Sequence, residues 1–204
     1  MASTDSPDNQ TQDGHRRPAN RRDLILDAAV KLFHERGYPA TSVDDIGKAV
    51  DVSGPAIYRH FSSKEEILVD AIRMAADEVN HINDQARERH NDPRGLLGAY
   101  IRAYVDVALD RSALIAVWSS EARHLSHERR SPMTRRLRSW SSEWVEALIE
   151  ARPELDEPTA RLLVAASIGL ITSVATASER DIPRAHLADN IVQMALTTLD
   201  TSLP

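Results

Sequence analysis

The 204-residue chain predicts an all-α protein, and three observations carry that expectation. Apolar residues recur at helical spacing from Leu24 onward, without the alternation that marks strands. Capping Ser, Thr and Asp residues and terminating Gly, Asn and Pro residues punctuate that periodicity. Near the N-terminus, three short helical segments precede a capped, much longer one. The expected organisation is a disordered arm over residues 1–20, a three-helix helix-turn-helix module over 21–66, and a helical bundle over 67–204.

Each element follows from local chemistry. Met1–Asn20 is rich in Ser, Thr, Asp, Asn, Gln and Pro and shows no apolar period, as disordered segments do. Four arginines (Arg16, Arg17, Arg21 and Arg22) close it, forming either a solubilising tail or an arm against DNA phosphates or a minor groove. The first helix is expected over about Arg22–Arg36, with Leu24, Ile25, Ala28, Ala29, Leu32 and Phe33 inward and Gly37 as its stop. After the Tyr38-Pro39-Ala40 turn, Thr41 or Ser42 caps a short helix that directs Val43, Ile46, Ala49 and Val50 inward. Asp51-Val52 forms a tight turn, and Asp tolerates left-handed backbone. Ser53 is a second cap, Pro55 suits a first helical turn, and the helix over about Gly54–His60 buries Ile57 and Phe61. Ser63-Lys64-Glu65-Glu66 reads as a capping box opening a long helix to about His90. Further helices are expected over about 94–109, 113–125, 133–151 (after a break at Ser131-Pro132), 159–178 and 183–202.

Composition narrows the function classes. With no cysteine, the chain has no disulfide scaffold, thiolate metal site or Cys nucleophile. The polar start and the lack of an apolar run near 18 residues point to a cytoplasmic protein with no membrane partner. The chain carries a net charge of -6, yet His15–Lys64 holds nine basic against six acidic side chains. A locally basic segment on an acidic chain fits nucleic-acid contact through one small module. No Gly-x-Ser-x-Gly, Walker, His-Glu-x-x-His or dinucleotide fingerprint occurs, so neither an enzyme nor a cofactor is expected.

The continuous segment Thr41–Leu68 decides the reading. It contains Thr41-Ser-Val-Asp-Asp-Ile46, Val52-Ser53, Ile57-Tyr58-Arg59-His60-Phe61 and Lys64-Glu65-Glu66 in register. It closely resembles the DNA-binding segment of the tetracycline-repressor (TetR) family, and the first helix with Gly37-Tyr38 matches that family's lead-in. The resemblance spans about Arg22–Leu68, a quarter of the chain. Asp51 stands where the family often has Gly. Gly47 replaces a common Ala, giving up about 1 kcal/mol of helix propensity while permitting close approach.

The residue chemistry agrees with this resemblance. In a helix-turn-helix the second helix enters the major groove. Ser53, Pro55, Ala56 and Arg59 start or face outward from that helix, where small groups meet thymine methyls and an Arg forks to guanine. Tyr58 and His60 offer polar tips for phosphate oxygens. Lys64 adds charge at a helix N-terminus, and Thr41 and Ser42 donate to phosphates while capping; the alternatives are that Thr41 and Ser63 are only caps and that His60 is a packing residue.

The resemblance further implies that the C-terminal bundle binds a small-molecule inducer and forms a homodimer through the last two helices. The segment 159–178 is apolar around most of its circumference, and Leu187, Ile191, Met194, Ala195 and Leu199 form a stripe on the last. Tyr100, Tyr104, Trp118, Trp140 and Trp144 are either core or the walls of a ligand pocket. Arg129, Arg130, Arg135, Arg136 and Arg138 either form a solvated face pairing with Glu128 or Glu143, or bind the acid group of a lipidic ligand such as an acyl-CoA; Arg130 and Arg135 are the pocket candidates. Glu121, His124 and His127 fall at three-residue steps but lack a further ligand, and His81 and His90 do not share a helix face, so no metal site is expected. The chain is accordingly expected to be a transcriptional repressor that binds a palindromic double-stranded DNA operator as a dimer and leaves it when an inducer binds. The alternative is a ligand-sensing or protein-interaction helical module without sequence-specific DNA binding.

Overall fold

Punctuated helical periodicity becomes nine helices among the residues that the computed structural model describes, 21–122, 125–177 and 183–203. The expected arm over 1–20 lies outside them. The helices are α1 (Arg21–Arg36), α2 (Val43–Ala49), α3 (Gly54–Ile57), α4 (Lys64–Arg89), α5 (Pro93–Asp110), α6 (Ser112–Glu121), α7 (His127–Ala151), α8 (Glu157–Thr176) and α9 (Arg184–Leu199). Side-chain caps start several of them. Ser63 accepts from the Glu66 amide at 3.1 Å, Asp92 from Gly95 at 2.6 Å and Asp156 from Thr159 at 2.9 Å.

Two apolar cores organise these helices. The first joins Ile25, Leu26 and Phe33 of α1 to Ile46, Ile57, Phe61, Ile67 and Leu68, and it takes in Leu114 and Val117 of α6. The headpiece core therefore continues past residue 66, and α6 braces it from the body side. The second core runs through α5, α7, α8 and α9, with Tyr100, Ile101, Trp144, Leu148, Ile171 and Ile191 at its centre. The start of α4 belongs to the first core, whereas Val79 and Ala86 belong to the second, so one helix links both.

The structure departs from the sequence expectations at several places, among them Ala49, which is exposed on α2 rather than inward. Residues 58–60 form turns rather than the end of a helix, because bonding shifts to three-residue spacing at Arg59 and His60 as Phe61 swings into the core. Helix α7 starts at His127 and runs through Pro132, where a break was expected. Proline at the sixth position removes one backbone donor, and the residues that follow are anchored by Trp140, Trp144 and Leu148. Leu24 is 43% exposed because the inward face of α1 centres on Ile25, Leu26, Ala29, Leu32 and Phe33. Helix α8 is long and apolar enough to cross a bilayer, contrary to the absence of such a run expected above, but it packs against α9, α7, α5 and α6.

Candidate nucleic-acid interface and internal cavity

The corner between α2 and α3 is built from short polar residues. Ser42 caps α2, accepting from the Asp45 amide at 3.1 Å while its own amide donates to the Asp45 carboxylate at 3.0 Å. The Ser42 side-chain and backbone bonds hold the Asp45 carboxyl below its ordinary value of 3.8. Asp51 adopts left-handed backbone at φ 54°, which lets the chain reverse, and the Val52 amide donates to the Gly47 carbonyl at 2.9 Å. A Cβ at Gly47 would stand 2.7 Å from the Val52 carbonyl oxygen, so the turn lies directly against α2.

Most of the expected contact residues lie exposed around that corner. Ser42, Ser53, Pro55, Arg59 and His60 are exposed, Ala56 is half-buried, and Tyr58 presents 56% of its surface to solvent. Ser53 opens α3 without a side-chain capping bond and is exposed at the helix start. Ile57 and Phe61 are buried, as core residues of the recognition segment should be.

Two of the expected contacts are placed differently. Thr41 is 1% exposed, and its hydroxyl donates to the carbonyls of Gly37 at 2.9 Å and Leu32 at 3.2 Å. The hydroxyl closes the end of α1 instead of facing a phosphate. Lys64 is half-buried over the Tyr38 ring, and its ammonium donates to the carbonyls of Tyr38 at 2.7 Å and Thr41 at 2.8 Å. Burial pulls that ammonium below the usual lysine value of 10.5. Lys64 thus clamps the α1–α2 turn to the start of α4.

The aromatic candidates divide. A cavity of about 400 Å³ is lined by Tyr104, Trp118 and Trp140 together with apolar residues of α4, α5, α6 and α8. Tyr100 and Trp144 are buried outside that lining and act as core. Trp144 meets Tyr104 edge-on at 5.8 Å and Trp140 at 5.4 Å, so it backs the cavity wall. Arg130 and Arg135 are exposed and line no part of the cavity, and Arg135 donates to Ser131 at 2.7 Å. The side chains of Arg129, Arg136 and Arg138 lie outside the described residues, as does His124. Glu143, an expected partner of the arginine cluster, pairs with Arg87 of α4 at 3.1 Å. Among the described residues no group of three or more His, Asp or Glu side chains is placed to hold a metal ion.

Residues 25–71, the α1–α4 headpiece just described, match the family model of bacterial regulatory proteins of the tetR family. The repressor KstR2 of Mycolicibacterium smegmatis is 29% identical over 164 residues, covering 74% of this chain and 75% of that protein. The chain carries a DNA-binding domain of the TetR family over residues 25–71. It is a DNA-binding transcriptional regulator with a helix-turn-helix, in a family of regulators rather than enzymes. The biofilm-operon regulator IcaR of Staphylococcus aureus is 39% identical over 61 residues, 30% of this chain and 33% of that protein. Among solved structures, the ketosteroid regulator KstR2 of Mycobacterium tuberculosis superposes with a TM-score of 0.74 at 25% identity, covering 90% of this chain and 95% of that one.

Within this TetR-family headpiece the structure adds a residue that sequence reasoning assigned to the arm. Arg22 ion-pairs with Asp70 of α4, donates to the His60 carbonyl and lies 4.1 Å over the Phe61 ring. One side chain therefore fixes α1, the recognition segment and α4 together. Its partners are 38 to 48 residues away, so no local signal reports them. The one retrospective sign is Asp70, an acidic side chain on the inward face of a helix, which needs a cation.

Proposed function

We propose that this regulator is a repressor that binds a palindromic operator as a homodimer and releases it when a small apolar molecule enters the body cavity. The observation that carries the DNA half is the exposed Tyr58-Arg59-His60 segment. It stands beside the free start of α3 and is mounted on side chains that are themselves buried. Tyr58 and His60 contact phosphates, Arg59 with Ser53, Pro55 and Ala56 meets base edges, and Ser42 approaches the backbone from the α2 cap. Thr41 and Lys64 set the position of that surface. A protein with this target works in the cytoplasm.

The dimer half is supported by unfilled apolar surface. On α8, Leu162 is 59% exposed beside exposed Ala165, Ala166 and Gly169, and on α9 Met194 is 41% exposed. Small residues flanking a Leu let a second α8 approach closely, and two α8–α9 pairs make a four-helix bundle. Two recognition segments then address half-sites about one DNA turn apart. The inducer half is supported by a cavity that lies between α4, which carries the headpiece, and the body helices.

The test is selection of genomic DNA fragments by the purified protein near physiological salt, followed by sequencing. One recovered palindrome is the expected result, and fragments without a shared sequence would overturn the operator reading. Leu162→Asp should yield monomers in sedimentation and lose the palindrome with them. A dimeric Leu162→Asp variant would remove α8 from the interface.

A further inference from the structure

One charged residue lines the apolar cavity, and it also holds the headpiece. Arg111 sits between α5 and α6 and is the single ionisable Lys, Arg, Asp, Glu or His among the lining residues. Its guanidinium donates to Glu78 of α4 at 3.2 Å and stands 3.7 Å from the carboxylate of Asp27 on α1. Arg111 also lines a second cavity of about 110 Å³ beneath α1, with Leu26, Asp27 and Val30 on the far wall. The same side chain therefore faces the ligand chamber, the long helix and the first helix of the headpiece.

Resting on the reading of this cavity as the inducer site, we propose that the ligand is an apolar carboxylic acid whose carboxylate binds Arg111 and displaces Asp27. The cavity walls offer no competing anion among their described residues, and a carboxylate entering from that side meets guanidinium donors beside apolar walls. A third carboxylate around one guanidinium leaves an excess of negative charge, so the weakest partner departs. That partner is Asp27, which is exposed and beyond hydrogen-bond distance, whereas Glu78 makes a bond. Losing Asp27 removes the charged tie between α1 and the α5–α6 junction and leaves the apolar packing of α6 on α1 to hold it alone. By reciprocity, whatever favours the tied headpiece opposes the acid, and the acid opposes the tied headpiece equally. The Tyr104–Thr172 hydroxyl pair, with Tyr104 seven residues earlier on α5 and so about 10 Å along the helix, orients an oxygen at the ligand's other end.

A matched pair of probes tests this: 1-pyrenebutyrate and 1-pyrenebutanol, read by energy transfer from Trp118 and Trp140. The acid should bind wild type about tenfold more tightly than the alcohol, as expected for one charge-assisted contact. Arg111→Met should bring the two probes to within about twofold while leaving the alcohol unchanged, and Arg111→Lys, a conservative check on folding, should keep part of the preference. Asp27→Asn removes the competing carboxylate, so it should strengthen acid binding, leave the alcohol unchanged, and raise amide exchange along α1 without any probe. Equal affinities in wild type, or a preference that survives Arg111→Met, would overturn the carboxylate assignment and leave the cavity standing. Unchanged acid affinity in Asp27→Asn would overturn the displacement of Asp27. Energy transfer to neither probe would overturn the cavity reading and this inference together.

Discussion

The headpiece holds its surface to its core with charged side chains that cross between elements. Arg22 reaches Asp70 and the His60 carbonyl, and Lys64 reaches the carbonyls of Tyr38 and Thr41. The body has such a tie at its far end, where buried Arg152 donates to the Leu199 carbonyl at 2.6 Å, but around the cavity Tyr104, Trp140 and Trp144 meet one another and neighbouring apolar surface. Charge-assisted bonds are directional and select one backbone trace, which a surface matched to DNA requires. Apolar contacts accept exchange among similar volumes, which suits a chamber that must fit a guest. The contrast is between a part built for one shape and a part built for a volume.

The largest effect should come from emptying the body core. Trp144→Ala removes the biggest fully buried side chain, next to a cavity that is already open. A loss of about 3–5 kcal/mol in urea unfolding is expected. The folded fraction should keep its DNA affinity, since the recognition segment packs on the other core. A loss below about 1 kcal/mol would mean that the body collapses around the gap and is softer than its packing indicates.

Gly47→Ala probes the headpiece with one methyl group. In an isolated helix this change is favourable by about 1 kcal/mol. Here the new Cβ meets the Val52 carbonyl oxygen at 2.7 Å, so the turn must shift. A net loss of about 1–3 kcal/mol is expected, as for overpacking elsewhere, with DNA affinity falling further because the turn sets the α3 start. A stabilised variant would show that the turn yields freely, and the contrast between regions would lose its sharpest example.

This asymmetry also decided what could be read in the sequence. Caps and turns are local, so Ser42, Asp51, Ser53 and Ser63 identified the α2–α3 corner and the start of α4 from neighbouring residues alone. Long-range partners leave no such trace. Arg22 looks like part of a basic arm until Asp70 is found 48 residues away, and Lys64 looks like a free surface charge until its carbonyls are found 23 to 26 residues back. Pro132 reads as a break because helix propensity is local, whereas the anchoring of α7 by Trp140 and Trp144 is tertiary. Helical spacing also could not separate Tyr104 and Trp140, which line the cavity, from Tyr100 and Trp144, which do not. Arg111 escaped notice for a similar reason: a cation ending an apolar helix is ordinary until a cavity opens beside it.

A smaller effect, and a cleaner division between stability and binding, is expected at Tyr58. Its side chain is exposed, so Tyr58→Ala should change unfolding by no more than about 0.5 kcal/mol. Loss of one hydrogen bond to a charged phosphate should still weaken operator binding by about tenfold or more. Because the phenol carries no charge, the salt dependence of binding should keep its slope. A large loss of stability would place Tyr58 in the folded framework and blur the line between contact and support.

The smallest effect concerns the α2 cap and is resolved by pH. Asp45 ionises more readily in the folded chain than its ordinary value of 3.8, chiefly because of its bonds with the Ser42 side chain and amide. Between that lowered folded value and 3.8 the unfolded chain binds the proton more tightly, so stability rises with pH across the window. The contribution is fully present above 3.8 and disappears as pH falls through the folded value. Asp45→Asn should therefore be less stable than wild type near neutrality, and the gap should close on acidification as wild type loses its carboxylate. Body substitutions such as Trp144→Ala contain no titrating group and should show a gap that does not vary over the same range. If the Asp45→Asn gap also stayed constant to the lowest accessible pH, the cap would act through shape alone. The headpiece would then owe its geometry less to charge than Arg22 and Lys64 indicate.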